Sequence, residues 1–207
     1  ITSVTMGSAP GGVGGGACAA PAPNNDNVVG ASPNTCVIDK RFDTLDYIDL
    51  VFTVMNSDGT TEYQFEESIF NATGRGWHSF HFDLGFGTGA AFVNSTNGDF
   101  LDFDEPPQDS PVASSHFANH GFDNVIDALW FDHGKCFTNN FCDFTFAIDV
   151  PDHNQPGAIP SQWHIFDATG AVIGYQFTLR QMPKIPEPMS IVLFMLGLAG
   201  LGWARRK

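Results

Sequence analysis

Alternation of apolar and polar side chains with a period of two runs through the middle of the chain. In residues 143–150, Phe144, Phe146, Ile148 and Val150 alternate with Asp143, Thr145, Ala147 and Asp149, which is the pattern of a strand with one buried face. Residues 77–86 repeat it, with Phe80, Phe82, Leu84 and Phe86 opposed to Ser79, His81 and Asp83. Residues 171–179 place Ile173, Tyr175, Phe177 and Leu179 against Gly174, Gln176, Thr178 and Arg180, and residues 46–54 keep Ile48, Leu50, Phe52 and Val54 in step. Weaker strands are predicted over 62–70, 100–103, 128–132 and 162–166. Turn signals separate them: Ser57-Asp58-Gly59, Thr73-Gly74, Asn97-Gly98, His133-Gly134 and Thr169-Gly170. Only residues 121–129 leave room for a helical turn. Many short alternating strands joined by Gly/Asn turns predict an all-β fold, an antiparallel β-sandwich, over residues 37–183.

The pattern stops at both ends. Residues 1–36 hold GGVGGG at 11–16 and a turn-forming run from Pro21 to Asn27, so a flexible Gly/Pro-rich N-terminal arm is expected there. The chain begins with Ile1 and shows no charged-then-apolar leader, which implies a removed signal peptide or a truncated sequence. At the other end, residues 189–204 carry no ionisable side chain. As a helix they would span about 24 Å, which is short for a comfortable membrane crossing.

Composition narrows the class. The 207 residues hold 9 Lys+Arg against 23 Asp+Glu, a net charge of −14, with 20 Phe. That is too apolar and aromatic for a disordered polyanion, of the wrong sign for a nucleic-acid binder, and too polar for a multi-span membrane protein. The Phe stripes read as core. Three of the nine cations are the last three residues, Arg205, Arg206 and Lys207.

Those three residues close a tripartite tail, residues 184–207. Pro186, Glu187 and Pro188 form a stiff break that disfavours helix. The apolar run follows, with Trp203 where an interfacial aromatic belongs, and the basic end is cytoplasmic by the positive-inside rule. This order of parts resembles the PEP-CTERM sorting signal of Gram-negative bacteria. The resemblance implies that exosortase, a membrane-embedded transpeptidase-like cysteine enzyme, recognises Pro186, Glu187 and Pro188 and processes the chain. The 189–204 segment would serve as a transmembrane helix holding the body outside, with Arg205, Arg206 and Lys207 as the stop. Loss of the three terminal cations would leave six against 23 acidic residues, a balance of −17, which disfavours attraction to anionic lipid or nucleic acid.

Four cysteines, Cys18, Cys36, Cys136 and Cys142, form no CxxC pair. Three pairings are open. The local one, Cys18–Cys36 with Cys136–Cys142, is the simplest, and free thiols or a zinc site are the alternatives. The stretch Gly74-x-Gly76-Trp77-His78-x-Phe80-His81-Phe82-x-Leu84-Gly85, followed by Leu101-Asp102-Phe103-Asp104, resembles ectodomains of the choice-of-anchor families. These attach to bacterial surfaces through interchangeable tails, and the resemblance transfers no enzymatic activity.

Candidate chemistry is sparse. Asp99, Asp102, Asp104 and Glu105 form a candidate Ca2+ cluster, although the DxDxDG loop of an EF-hand is missing. A second acidic set is Asp39, Asp43, Asp46 and Asp49. Solvated surface charge is the alternative for both. His78, His81, His116, His120 and His133 lack an HExxH arrangement, and His81 is expected on a solvent-facing strand face. Ser114 and Ser115 beside His116 have no nucleophile-elbow motif. Trp77, Trp130, Trp163 and Tyr175 would offer sugar-stacking faces if exposed, and are otherwise core. Asn71 and Asn94 begin Asn-x-Ser/Thr sequons.

The expectation is a non-enzymatic bacterial surface or extracellular-matrix protein that needs no cofactor. It is exported, held briefly at the inner membrane with its body periplasmic, and released by exosortase. Exopolysaccharide is a candidate partner and nucleic acid is not. A calcium- or glycan-binding adhesion module is the alternative, and a secreted hydrolase stands behind it. A hydrolase would require a close carboxylate pair in a groove.

Overall fold

The computed structural model describes residues 1–19, 34–56, 59–96, 98–104, 111–123, 125–153 and 159–185. Among these described residues, fourteen strands make two sheets. The first sheet contains β1 (Ser3–Ser8), β4 (Ile48–Met55), β14 (Val172–Lys184), β6 (Ser79–Phe86), β11 (Ala128–Gly134) and β10 (Phe117–Asp123) in that spatial order; β7 (Val93–Asn94) adds to β6 and β13 (His164–Phe166) to β14. The second contains β2 (Gly12–Cys18), β3 (Thr35–Phe42), β5 (Thr61–Asn71), β12 (Phe141–Val150) and β8 (Asp102–Phe103), with β9 (Ala113–Ser114) also on β12.

The four strongest alternations became β4, β6, β12 and β14, and their apolar faces are buried as expected. Phe80, Phe82 and Leu84 of one sheet and Phe65, Phe144 and Phe146 of the other are fully or almost fully buried. Rings meet across the gap: Phe52 lies 5.5 Å from Phe65, Phe82 4.7 Å from Phe146 and Phe80 5.0 Å from Phe144. Facing apolar layers of this kind are the energetic basis of a sandwich.

Several expectations change. Residues 1–18 are not a loose arm, because β1 pairs with β4 and β2 pairs with β3, and Ile1 is buried. The glycines of β2 serve close approach rather than freedom. A Cβ on Gly12 would stand 2.0 Å from the Arg41 carbonyl oxygen, and one on Gly16 2.5 Å from that of Val37. Residues 20–33 lie outside the described residues. The second sheet is mixed, since β3 runs parallel to β5. Residues 117–123 are strand, so the expected helical turn over 121–129 shrinks to the β10–β11 connection. The strand expected over 100–103 is only Asp102–Phe103, because Phe100 takes a positive φ of 62° and points into solvent.

Both local disulfides form, Cys18–Cys36 between β2 and β3 and Cys136–Cys142 at the start of β12. Between the sheets lies a buried polar group on inward-facing positions. Lys40 Nζ on β3 donates to Glu67 on β5 and to Gln181 on β14, and Gln181 Nε2 donates to Glu67 Oε1 at 2.9 Å. Burial holds the Lys40 ammonium down, to about 8, and pushes the Glu67 carboxyl up, so desolvation outweighs their mutual attraction.

Candidate functional site

Register fixes two ends of the sandwich. β14 finishes at Lys184, opposite Ser79 at the start of β6, and the His78 amide donates to the Lys184 carbonyl at 2.9 Å. Trp77 bridges to Cys136, and Asn139 N donates to the Asn71 carbonyl at the end of β5 at 2.7 Å. This end therefore gathers the starts of β6 and β12, the finishes of β3, β5 and β14, and the Cys136–Cys142 bridge. It is where the chain leaves the sheet. Lys135 Nζ lies 4.9 Å from the centroid of the exposed Phe137 ring, and Phe141 packs on Phe70 at 5.0 Å. A hollow of about 450 Å³ beside them is lined by Val13, Arg41, Phe70 and Phe141, among others.

The opposite end is acidic. On the outer face of the second sheet, Asp149 of β12 stands directly across from Glu62 of β5 on one side and Asp102 of β8 on the other. Three carboxyls in a cross-strand row are unfavourable when ionised. Burial, then Asp104, Glu62 and Asp102, raise the Asp149 carboxyl to about 7. Next to this row, the β10–β11 connection buries Asp127 at 1% exposure, and neither carboxylate oxygen has a hydrogen-bond partner. Its carboxyl is also raised to about 7, first by burial and then by Asp102, Asp99 and Asp123, with Ser95 acting the other way. The Ser95 hydroxyl is directed to Asp99 Oδ1 at 2.7 Å.

The candidate Ca2+ ligands separate in this geometry. Asp99 is a loop organiser: Oδ1 accepts from Ser95 Oγ and Leu101 N, and Oδ2 from Thr96 N. Asp102 faces Asp149, and Asp104 is buried with its amide on the Ala147 carbonyl. Glu105 lies outside the described residues. Among the described residues, no group of three or more His, Cys, Asp or Glu side chains is arranged to hold a metal ion. Sequence reasoning missed Asp127 and Asp149, since their neighbours come from distant strands.

The second acidic set also divides. Asp49 is fully buried and takes a forked bond from Arg180, at 2.7 and 2.9 Å, while Asp43 pairs with Arg41 in solvent. Arg180 is itself stacked between Tyr47 and Phe92.

Trp77 and Tyr175 are fully buried and offer no stacking face; Trp77 Nε1 donates to Thr73 Oγ1 at 3.1 Å. His81 is half-buried between β11 and β14 rather than solvent-facing, and burial lowers its pKa. Ser115 Oγ lies 2.8 Å from His116 Nδ1 but also accepts the Asp143 amide, an arrangement that organises β9 against β12. The Asn71 side chain is buried and bonded to the Arg75 and Cys136 carbonyls, so it serves the fold.

The molecule is thus an all-β domain, cross-linked by disulfides, whose last strand runs straight into a C-terminal signal segment. A family model for the PEP-CTERM protein-sorting motif matches residues 184–207, beginning at the residue where β14 ends. The chain carries a PEP-CTERM sorting signal, which implies an exported protein processed at the membrane with exosortase as its processing partner. No curated protein and no solved structure matches the chain significantly. Pro186, Glu187, Pro188, Arg205, Arg206 and Lys207 fall inside the matched segment and outside the described residues. Among the described residues no helix is long and apolar enough to cross a membrane.

Proposed function

We propose that the β-sandwich is delivered cargo, a non-enzymatic surface or extracellular-matrix protein, and that residues 184–207 are its address. The observation that carries this reading is the abutment of sheet and signal at Lys184. The apolar run 189–204 holds the chain in the inner membrane, Arg205–Lys207 stay cytoplasmic, and exosortase acts at or near Pro186–Pro188. The acidic, hydrated body then joins the surface or the exopolysaccharide layer. The test is the intact mass of the chain made with and without an exosortase. Loss of the C-terminal segment only with the enzyme is expected, and an unchanged mass in both overturns the processing.

A second reading is favoured by Asp127. A buried carboxylate without a hydrogen-bond partner, next to Asp99, Asp102 and Asp123, suits a divalent cation that takes the rest of its shell from backbone and hydroxyl oxygens. Calcium would then support adhesion or matrix cross-linking. Thermal unfolding with and without Ca2+ at pH 8 tests it. A rise in Tm that is lost in Asp127→Asn supports it, and no rise removes it.

A further inference from the structure

The six cations among the described residues are not scattered. Lys40 is buried and Arg180 is half-buried in its ion pair with Asp49. The exposed four, Arg41, Arg75, Lys135 and Lys184, all stand at the end where the chain leaves the sheet. Arg41 is opposite Phe70 near the finish of β5, and Lys184 is opposite Ser79. The Arg75 carbonyl accepts from Asn71 Nδ2, and a Cβ on the next residue, Gly76, would meet Lys135 Cε at 2.4 Å. The acids at this end are Asp43, paired with Arg41, Asp46, and Asp132, beside His133, with Asp39 and Asp143 two positions farther from the tip on the same outer face as Arg41 and Phe141. Two large apolar rings share the surface, Phe137 at 53% and Phe141 at 59% exposure.

Tether length sets what this end can face. Four residues, 185–188, separate Lys184 from Met189 at the head of the apolar run. Fully extended they reach at most about 18 Å. With the apolar run in a bilayer, this end of the domain cannot move farther from the headgroups than that. Exposed Phe beside Lys and Arg is the side-chain set that settles into a bilayer interface, ring in the headgroup region and cation toward lipid phosphate.

We propose that the tail-exit end, presenting Phe137, Phe141, Arg41, Arg75, Lys135 and Lys184, docks on an anionic lipid surface and orients the domain while the sorting segment is still membrane-held. The net charge of −14 hides this because the densest carboxyl group, Glu62, Asp102, Asp104, Asp127 and Asp149, stands at the far end, turned away from the lipid. The proposal rests on membrane retention by residues 189–204, and its test separates the two.

The full chain is reconstituted into phosphatidylglycerol-containing vesicles and into phosphatidylcholine vesicles, then probed by hydroxyl-radical footprinting. Val125 and Phe166, exposed at 74% and 54% at the far end, are internal references. Modification of Phe137 and Phe141 relative to these references should be lower by about threefold or more in the anionic vesicles, and should recover at high salt. Lys135→Glu with Lys184→Glu, both surface changes, should restore it at low salt. Protease protection of the 189–204 peptide is read in parallel. A protected peptide with unprotected Phe137 and Phe141 overturns the docking alone, and a cleaved peptide overturns membrane retention and the docking together. Equal protection in both lipids overturns the anionic preference.

Discussion

At one end of the sandwich Arg41, Arg75, Lys135 and Lys184 ring the point where β14 gives out, backed by a buried Trp77 and the Cys136–Cys142 bridge. At the other, Glu62, Asp149 and Asp102 face one another across three strands, and Asp127 is buried with no hydrogen-bond partner. One end is tied down by cross-links and backbone bonds, and the other crowds carboxyls so closely that Asp127 and Asp149 hold their protons up to about pH 7. The difference suits the proposed function, in which the tail-exit end stays folded while the segment beyond it is held and processed, and the far end faces outward, where excess negative charge keeps the domain hydrated.

The largest effect should come from the Lys40–Glu67–Gln181 group that ties the two sheets together. Glu67→Leu leaves a buried ammonium with only Gln181 as a polar partner, and is expected to cost about 3–5 kcal/mol in urea unfolding. Replacing both charges, Lys40→Met with Glu67→Leu, should recover most of that loss. A single and a double variant of equal stability would mean that the unpaired buried charge is not what the single variant loses.

The disulfides come next, one for each end. On chain-entropy grounds, removing Cys136–Cys142, six residues apart, costs about 2 kcal/mol, and removing Cys18–Cys36, eighteen apart, about 3 kcal/mol. Double Ala variants of each, unfolded in urea, measure the two values. The Cys18–Cys36 variant should lose protection against amide exchange in β2 first. Equal loss along both sheets would show that the ends are not independently secured.

The acidic end should respond to pH in the opposite sense to a salt-bridged domain. Asp127 and Asp149 hold their protons up to about pH 7 when folded, against about 4 when unfolded. Between those values the folded state binds more protons, so stability falls as pH rises. Unfolding free energy is expected to drop by about 1–3 kcal/mol from pH 5 to pH 8, with little further change above. Asp127→Asn with Asp149→Asn should flatten the profile and raise stability at pH 8. A profile that stays flat in the parent chain would remove the repulsion from this end.

How much of this contrast was legible in the sequence depends on how local each signal is. β4, β6, β12 and β14 announce themselves because their core positions carry Phe, Ile, Leu and Val in strict alternation. β2 does not, since its glycines have no side chains to alternate and read as flexibility until the register with β3 shows them in contact. β3 and β5 are obscured by Lys40 and Glu67, which occupy core-facing positions with charge. The local disulfide pairing and the sorting tail are contiguous in sequence and were readable. The carboxyl row was not, because Asp102, Asp149 and Glu62 become neighbours only once three strands are in register. The basic end was hidden for the same reason, with Arg41, Arg75, Lys135 and Lys184 far apart along the chain.

The smallest effect on folding is expected at Arg41, and it is the one that separates folding from surface role. Arg41 Nε lies 2.7 Å from Asp43 Oδ1, and the two side chains are 57% and 45% exposed. Such a pair gains little in water, so Arg41→Ala should change stability by about 0.5 kcal/mol or less. Arg41 also borders the 450 Å³ hollow beside Phe70 and Phe141, and its loss leaves Asp43 without its counter-charge at the tail-exit end. Protection of Phe141 on anionic vesicles should therefore weaken in Arg41→Ala while the urea midpoint stays where it was. If both readouts move together, Arg41 belongs to the fold. If only the vesicle readout moves, the charge of this end is a property of its surface, kept apart from the forces that hold the sheets together.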